Sequence, residues 1–158
     1  MPEPRADRPH MPGYGISEGT EGMLPWSWAQ DRLENSRNYW VASTRADGRP
    51  HLMPVWAVWL EGGLYFSTAR TSRKARNLFA NPACAISTEH GNEAVILEGA
   101  IVHEEDHTSL RPAWEAYKAK YDWNLEGESM FLLRPKLAFA FIETADQFST
   151  AATRWRFD

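Results

Sequence analysis

The segment from Leu64 to Pro82 reads LYFSTARTSRKARNLFANP, and its pattern of apolar residues changes halfway along. The first half is rich in aromatic and β-branched residues, which is typical of a strand. In the second half Ala75, Leu78 and Phe79 recur at helical spacing, a Ser or Thr can cap the helix start, and Asn-Pro ends it. The segment therefore predicts a strand that runs through a hydroxyl-rich turn into a short helix.

Hairpin signals flank this segment on both sides. Before it, YWVASTR and HLMPVWAVWLE enclose the turn pair Asp47-Gly48, and we interpret the second run as one strand buried on both faces. After it, ACAISTE and EAVILEGAIVHEE enclose a His-Gly-Asn turn, with Gly99 as a candidate β-bulge. MFLLRP, LAFAFIE and the final ATRWRFD add further strand signals.

Two other segments have helical spacing, one beginning after Pro25 and one running from Asp106 to Tyr121. Strand-helix-strand alternation is absent, which excludes a doubly wound sheet. The predicted fold is mainly β (α+β), with about six antiparallel strands closed into a barrel and two or three peripheral helices. We expect an N-terminal tail over residues 1–22 that is flexible or lies along a neighbour, and one domain over residues 23–158. The tail holds four Pro and four Gly and has no apolar period.

Composition limits the function. The net charge of −4 and the pI near 5.7 argue against nucleic acid as the main partner, because such a protein needs a broad basic face. No apolar run reaches the length of a membrane span, and no signal-peptide core is visible, so we expect no membrane partner and a cytoplasmic location. The single cysteine, Cys84, lies in an apolar run and is interpreted as buried packing.

The clearest chemical signal is the group of cations in the turn and helix after Phe66. The backbone amides at a capped helix start attract anions, and Arg73, Lys74 and Arg76 follow within about one turn. Hydroxyls precede them at Ser67, Thr68, Thr71 and Ser72. Arg and Lys bind phosphate well, so this pattern favours a phosphate site. The alternative is a solvated basic helix face.

Other chemistries find little support. No Gly-rich phosphate loop and no nucleophile-elbow serine is present. His103 and His107 lie four residues apart in HEEDH, but we interpret this stretch as a solvated loop entering a helix and predict no metal site.

These stretches resemble the pyridoxamine-phosphate-oxidase-like split β-barrel family. LYFSTARTSRKARNLFANP is similar to the family's strand that meets a Ser-Arg-Lys turn, TRADGRPHLMPVW to its opening strands, and EAVILEGAIV to its later strand with an EG pair. The resemblance covers about Trp26 to Phe157. It implies a homodimer with a flavin or deazaflavin site at each interface.

Carried over residue by residue, the resemblance implies a set of cofactor-binding residues. Arg73 and Lys74 would bind the cofactor phosphate, and Arg76 and Asn77 would add contacts. Ring or ribityl contacts would come from Ser67 and Thr68. The isoalloxazine would lie along Pro54, Val55 and Trp56, and the TRWRF segment would place Arg154 or Arg156 and Trp155 near the site, from the other subunit. For Trp155, core packing is the alternative.

The C-terminal Arg-rich substrate clamp of the true oxidase is not found, so the resemblance favours the flavin and deazaflavin oxidoreductases instead. RKARNL favours coenzyme F420 over FMN. The expected reaction is hydride transfer between that cofactor and an unsaturated, flat and apolar small-molecule substrate, with Trp56, Trp59 and Trp155 as possible pocket walls and no catalytic residue identified. The alternatives are a non-catalytic barrel that binds flavin, haem or a tetrapyrrole, and a scaffold that binds nothing.

Overall fold

Strands dominate the computed structural model, which describes residues 2–158 and contains nine strands and four helices in that range. The strands are β1 (Arg5–Asp7), β2 (Tyr39–Thr44), β3 (Pro50–Val55), β4 (Ala57–Leu60), β5 (Gly63–Phe66), β6 (Ala83–Thr88), β7 (Glu93–Glu104), β8 (Met130–Ile142) and β9 (Thr153–Arg156). The helices are α1 (Trp26–Asn35), α2 (Arg73–Ala80), α3 (His107–Tyr121) and α4 (Phe148–Ala151).

All strand pairs are antiparallel and join into one sheet with the order β1-β9-β8-β7-β6-β2-β3. A short hairpin, β4 and β5, attaches to the same sheet through β8. The predicted mainly β fold is confirmed. The strand count exceeds six for two reasons: the expected tail contains β1, and the run after Pro50 forms two strands, β3 and β4. In the opposite direction, MFLLRP and LAFAFIE form the single strand β8.

The prediction for HLMPVWAVWLE was wrong. We expected one strand buried on both faces, but β3 ends at Val55 and β4 begins at Ala57 with a new partner strand. Only His51 is buried within β3, and Leu52 and Met53 are 58% and 47% exposed. The physical reason is the position of β3 at the end of the sheet order, where one strand neighbour is missing among residues 2–158.

Two apolar clusters hold the fold together. The larger one lies inside the sheet and includes Trp26, whose ring packs edge-on against Trp59 and Trp155 with centroids 6.1 and 5.2 Å away. The smaller one packs the inner face of α3, through Leu110 and Trp114, against β4, β5 and β8. Burial of many large rings is the main favourable term in folding.

The N-terminal segment forms more contacts than the sequence indicated. Strand β1 pairs with β9, which the expectation of a flexible tail over residues 1–22 missed; Met1 lies outside the described residues. The Arg8 guanidinium donates to four backbone carbonyls, two in the same segment (Gly19 and Glu21) and two near the other end of the chain (Thr150 and Ala152). The planar guanidinium of Arg8 thus joins this segment to α4 and to the residue before β9.

The predicted helices are confirmed, and so is the β-bulge. Ser72 caps α2 and Asp106 caps α3, each accepting a hydrogen bond from a backbone amide three residues later. The register between β7 and β8 shifts at Gly99, as its glycine suggested. Among the helices of residues 2–158, none has the length and apolar character needed to cross a membrane.

Candidate functional site

A chain of polar contacts fixes the loop between β5 and α2. Ser72 Oγ accepts hydrogen bonds from the Ala75 amide and from Thr68 Oγ1, both at 3.1 Å. Lys74 Nζ in turn donates to Thr68 Oγ1 at 3.4 Å. The structure therefore brings Thr68, Ser72 and Lys74 together at the start of α2. That this group binds an anion stays a prediction.

The charges around this loop are unbalanced. Arg70 is paired with Glu105 at 3.0 Å, but within residues 2–158 no carboxylate forms an ion pair with Arg73, Lys74 or Arg76. Partial burial lowers the pKa of Lys74, because removal from water disfavours the charged form. Three cations beside a helix N-terminus create a strongly positive surface that an anion would neutralise.

Asn77 and Ser67 lie near the same loop but have their own partners. Asn77 is 3% exposed, and its side-chain amide donates to Ser43 Oγ of β2 at 3.1 Å, so it joins α2 to the sheet. Ser67 Oγ donates to the Ser129 carbonyl at 3.4 Å. Their predicted contacts with a cofactor stay predictions.

His51 belongs to this region and sequence reasoning missed it. It faces Ser43 directly across the β2–β3 pair, and its side chain is buried at 6% exposure. Its Nδ1 is the one buried side-chain polar atom among residues 2–158 that lacks a hydrogen-bond partner. The alternation of β3 could have indicated an inward position, but nothing local to PHLMP indicates what the ring faces.

The predicted ring-binding segment lies at the end of β3. Pro54 is exposed, whereas Val55 is half-buried against the larger core cluster. Trp56 is half-buried and stacks on Tyr121 with parallel rings 4.7 Å apart. Tyr121 therefore already covers part of the aromatic surface that the sequence assigned to the cofactor.

The C-terminal residues of the predicted site, Arg154, Trp155 and Arg156, belong to β9, which is not adjacent to β2 or β3 in the sheet. Arg154 is held by Asp7 through two hydrogen bonds of 2.7 and 2.8 Å. Trp155 is 1% exposed, so core packing is the role the structure shows for its ring. In the sheet order β8, β7 and β6 separate β9 from β2. Trp59 belongs to the same core cluster and also lines a cleft beside Trp26 and Leu60, but none of the residues that line this cleft belongs to the loop between β5 and α2.

A second polar cluster, absent from the sequence interpretation, lies at the end of α3. Lys120 Nζ donates to Tyr39 Oη at 2.8 Å and to the Ala57 carbonyl at 3.1 Å. Burial lowers the pKa of Lys120 to about 8 and raises that of Tyr121 to about 12. Tyr39 is fully buried, and its hydroxyl also donates to the Leu33 carbonyl. This cluster connects α1, β2, β4 and α3.

The two histidines of HEEDH have different partners. His103 Nε2 lies 2.9 Å from Ser129 Oγ, while the His107 ring packs edge-on against Trp114. No group of three or more His, Cys, Asp or Glu side chains in the described part of the chain is arranged to hold a metal ion.

Solved structures with the same fold carry several different names. A conserved hypothetical protein from Mycobacterium tuberculosis matches with a TM-score of 0.65 and 20% identity, over 73% of this chain and 82% of its own. A protein titled F420 reductase matches with a TM-score of 0.57 and 23% identity, over 69% of this chain and 94% of its own. HutZ, a haem storage protein from Vibrio cholerae, matches with a TM-score of 0.56 and 17% identity, over 68% and 87%. At these low identities, the structural matches show a shared fold and nothing further.

No curated protein matches the chain significantly. The family model described as pyridoxamine 5'-phosphate oxidase matches residues 28–147, which include the site loop and most of the sheet. With the strand order, the capped helix α2 and this match in agreement, the chain belongs to the pyridoxamine 5'-phosphate oxidase-like split β-barrel family.

Proposed function

We propose that this protein is an oxidoreductase that transfers hydride between a bound coenzyme F420, or alternatively FMN, and an unsaturated, flat and apolar organic substrate. The observation that carries the proposal is the group of Arg73, Lys74 and Arg76, which have no carboxylate partner among residues 2–158 and lie beside the capped start of α2. Both cofactors carry a phosphate group that this positive surface fits.

The chain's own residues would bind and orient the cofactor. Lys74 and Arg73 would hold its phosphate, Thr68 would keep Lys74 in place, and Trp56 would offer ring surface at the end of β3. When bound, the cofactor itself supplies the hydride chemistry. F420 is preferred over FMN because Arg76 adds a further exposed cation for its acidic tail, and because a related structure is titled F420 reductase.

The same proposal includes a homodimer with one site at each interface. Trp40 and Pro54 face each other across the β2–β3 pair, as do Ala42 and Leu52, so all four side chains lie on one face of the sheet. Trp40 is 38% and Leu52 58% exposed. An apolar face of this kind on an edge strand is the expected surface for a second copy of the chain.

A fluorescence titration with F420 and FMN, at matched salt, tests the proposed site. Lys74→Ala is expected to weaken cofactor binding by about 1 to 3 kcal/mol, because a charged hydrogen-bond partner is lost. Lys118→Ala, which removes an exposed lysine on α3, is the matched control and is expected to bind as wild type does. Equal affinities for the Lys74 and Lys118 variants would contradict the site.

Turnover separates an enzyme from a carrier. Under anaerobic conditions, reduced F420 or reduced FMN bound to the protein is expected to be reoxidised when a flat quinone or enone is added, followed by its absorbance. Tight binding without reoxidation across a panel of such compounds would instead favour a non-catalytic barrel, and a haem titration would then be the next measurement.

A further inference from the structure

We propose that His51 is an additional anion ligand, which donates a hydrogen bond from Nδ1 to a phosphate group bound at the start of α2 and takes up a proton as that group binds. The inference rests on the anion site of the proposed function but not on its redox chemistry. It assigns the ligand as a phosphate ester whose binding is linked to pH.

The first observation is the unpaired ring nitrogen. His51 is buried at 6% exposure, yet its Nδ1 has no hydrogen-bond partner within residues 2–158. Buried polar atoms in proteins nearly always have a partner, and an exception calls for a missing one such as a ligand. An imidazole nitrogen can supply a hydrogen bond to an oxyanion when it carries a proton.

The second observation is where the ring points. His51 and Ser43 are directly opposite in the β2–β3 pair, so their side chains project from the same face of the sheet. Ser43 Oγ on that face accepts a hydrogen bond from Asn77 of α2. His51 therefore faces α2 rather than solvent, one strand further out than Ser43. The orphaned nitrogen thus lies on the face of the sheet that carries α2.

The third observation is the charge around the ring. Three cations act on His51: Arg45 from the turn after β2, and Lys74 and Arg73 from the first turn of α2. Burial is the largest cause that lowers the pKa of His51 below its ordinary value, and these three cations lower it further. Burial and the three cations thus favour the neutral form of the His51 ring in the free protein.

An anion bound among these cations reverses the balance. Its negative charge offsets Arg45, Lys74 and Arg73 and favours the charged imidazolium, so the pKa of His51 rises on binding. Because the bound state then holds more protons than the free state, the affinity for the anion increases as the pH falls through the range in which His51 titrates. Phosphate monoesters and diesters both have the oxygens that this arrangement requires.

Sulfate is a suitable probe, because it keeps its double charge between pH 6 and pH 8 and has no redox chemistry. In the wild-type protein, the ring signals of His51 are followed by NMR as sulfate is added, and sulfate affinity is measured by calorimetry at both pH values. We expect the His51 signals to shift, its pKa to rise, and sulfate to bind about tenfold more tightly at pH 6 than at pH 8.

Two variants give the matched comparison. His51→Gln is expected to lose the pH dependence, while His10→Gln, which removes an exposed histidine of the N-terminal segment, is expected to keep it. His51 signals that stay fixed while sulfate saturates, an unchanged pH dependence in His51→Gln, or no sulfate binding at pH 6 would each overturn the inference. The NMR measurement uses the wild-type protein, so it holds even where His51→Gln folds poorly.

Repeating the titration with FMN and with F420 distinguishes a monoester from a diester as the ligand. Cofactor binding and turnover that depend on Lys74 but not on His51 would contradict this inference alone. A His51-linked anion site in a protein that never reoxidises either cofactor would leave the inference standing and remove the proposed redox function.

Discussion

Asn77 of α2 and Ser43 of β2 are joined by a hydrogen bond of 3.1 Å between the side-chain amide and Oγ, and both residues are more than nine-tenths buried. This bond fixes the position of α2, and with it the cations of the proposed anion site, relative to β2. Asn77→Ala leaves a buried hydroxyl with one partner fewer, and we expect the free energy of unfolding to fall by about 1 to 3 kcal/mol. Urea denaturation measures the change.

The control for that substitution is Asn92→Ala, at an exposed turn position, which should stay within about 0.5 kcal/mol of wild type. A double-mutant cycle with Ser43→Ala isolates the pair. A coupling energy near zero would show that the two side chains do not stabilise each other.

Asp7 is the basis of a pH prediction. Hydrogen bonds from Arg154, with smaller contributions from Arg156, lower its pKa from 3.8 to about 2. Because the folded pKa is the lower one, Asp7 contributes its full stabilisation above about pH 4 and loses it as the pH falls towards 2. Its carboxylate is 37% exposed, so solvent screening limits the expected contribution to about 1 kcal/mol.

The comparison is between Asp7→Asn and wild type in urea unfolding at pH 7 and pH 2. We expect the variant to be less stable by about 1 kcal/mol at pH 7 and close to wild type at pH 2, where most of the stabilisation is lost. Glu18→Gln, which removes an exposed carboxylate, serves as the control. A deficit of the same size at both pH values would mean that ionisation of Asp7 is not its source.

Lys120 gives a pH dependence at the alkaline end. Burial, with a smaller contribution from Arg37, lowers its pKa from 10.5 to about 8. Between pH 8 and pH 10.5, Lys120 is more protonated in the unfolded chain than in the folded protein. The free energy of unfolding therefore increases as the pH rises through this range. Lys120→Met should remove this component, up to about 3 kcal/mol, whereas Lys118→Met on the exposed face should keep it. Identical pH profiles for the two variants would refute the assignment.

Gly99 marks the bulge of the longest strand pair. A Cβ at this position would lie 2.9 Å from the Arg134 carbonyl oxygen and 3.0 Å from Leu133 Cδ1, and the first of these is backbone. Gly99→Ala is therefore expected to destabilise the protein by about 1 to 3 kcal/mol. At Gly91 a Cβ would meet nothing within 4 Å, so Gly91→Ala should be nearly neutral in the same thermal or urea assay. Two equally stable variants would show that the bulge tolerates a methyl group.

Local signals in the sequence predicted the local structure. The Ser72 cap of α2, the Asp47-Gly48 turn and the Gly99 bulge each depend on a few neighbouring residues, and each lies where it was expected. The loop that joins β5 to α2 was likewise predicted with Thr68, Ser72 and Lys74 close together, because their spacing in the chain already limits how far apart they can lie.

Contacts between distant residues could not be predicted in this way. Ser43 and Asn77 are separated by 34 positions, and the Arg8 bonds to Thr150 and Ala152 span 142 and 144. The burial of Trp155 and the orphaned nitrogen of His51 also depend on which strands become neighbours. The resemblance to a family indicated a cofactor site, but the position of His51 on the side of α2 follows from the strand register together with the bond between Asn77 and Ser43.

The pairing of β1 with β9 has a consequence for biosynthesis. Strand β1 has no other strand partner among residues 2–158, so it cannot be placed until residues 153–156 leave the ribosome. At ordinary synthesis rates that interval is roughly 7 to 30 seconds. During it, the first residues must stay soluble without a partner, and their prolines, glycines and charges allow this. The composition that makes this segment resemble a tail thus suits a strand whose partner is synthesised long after it.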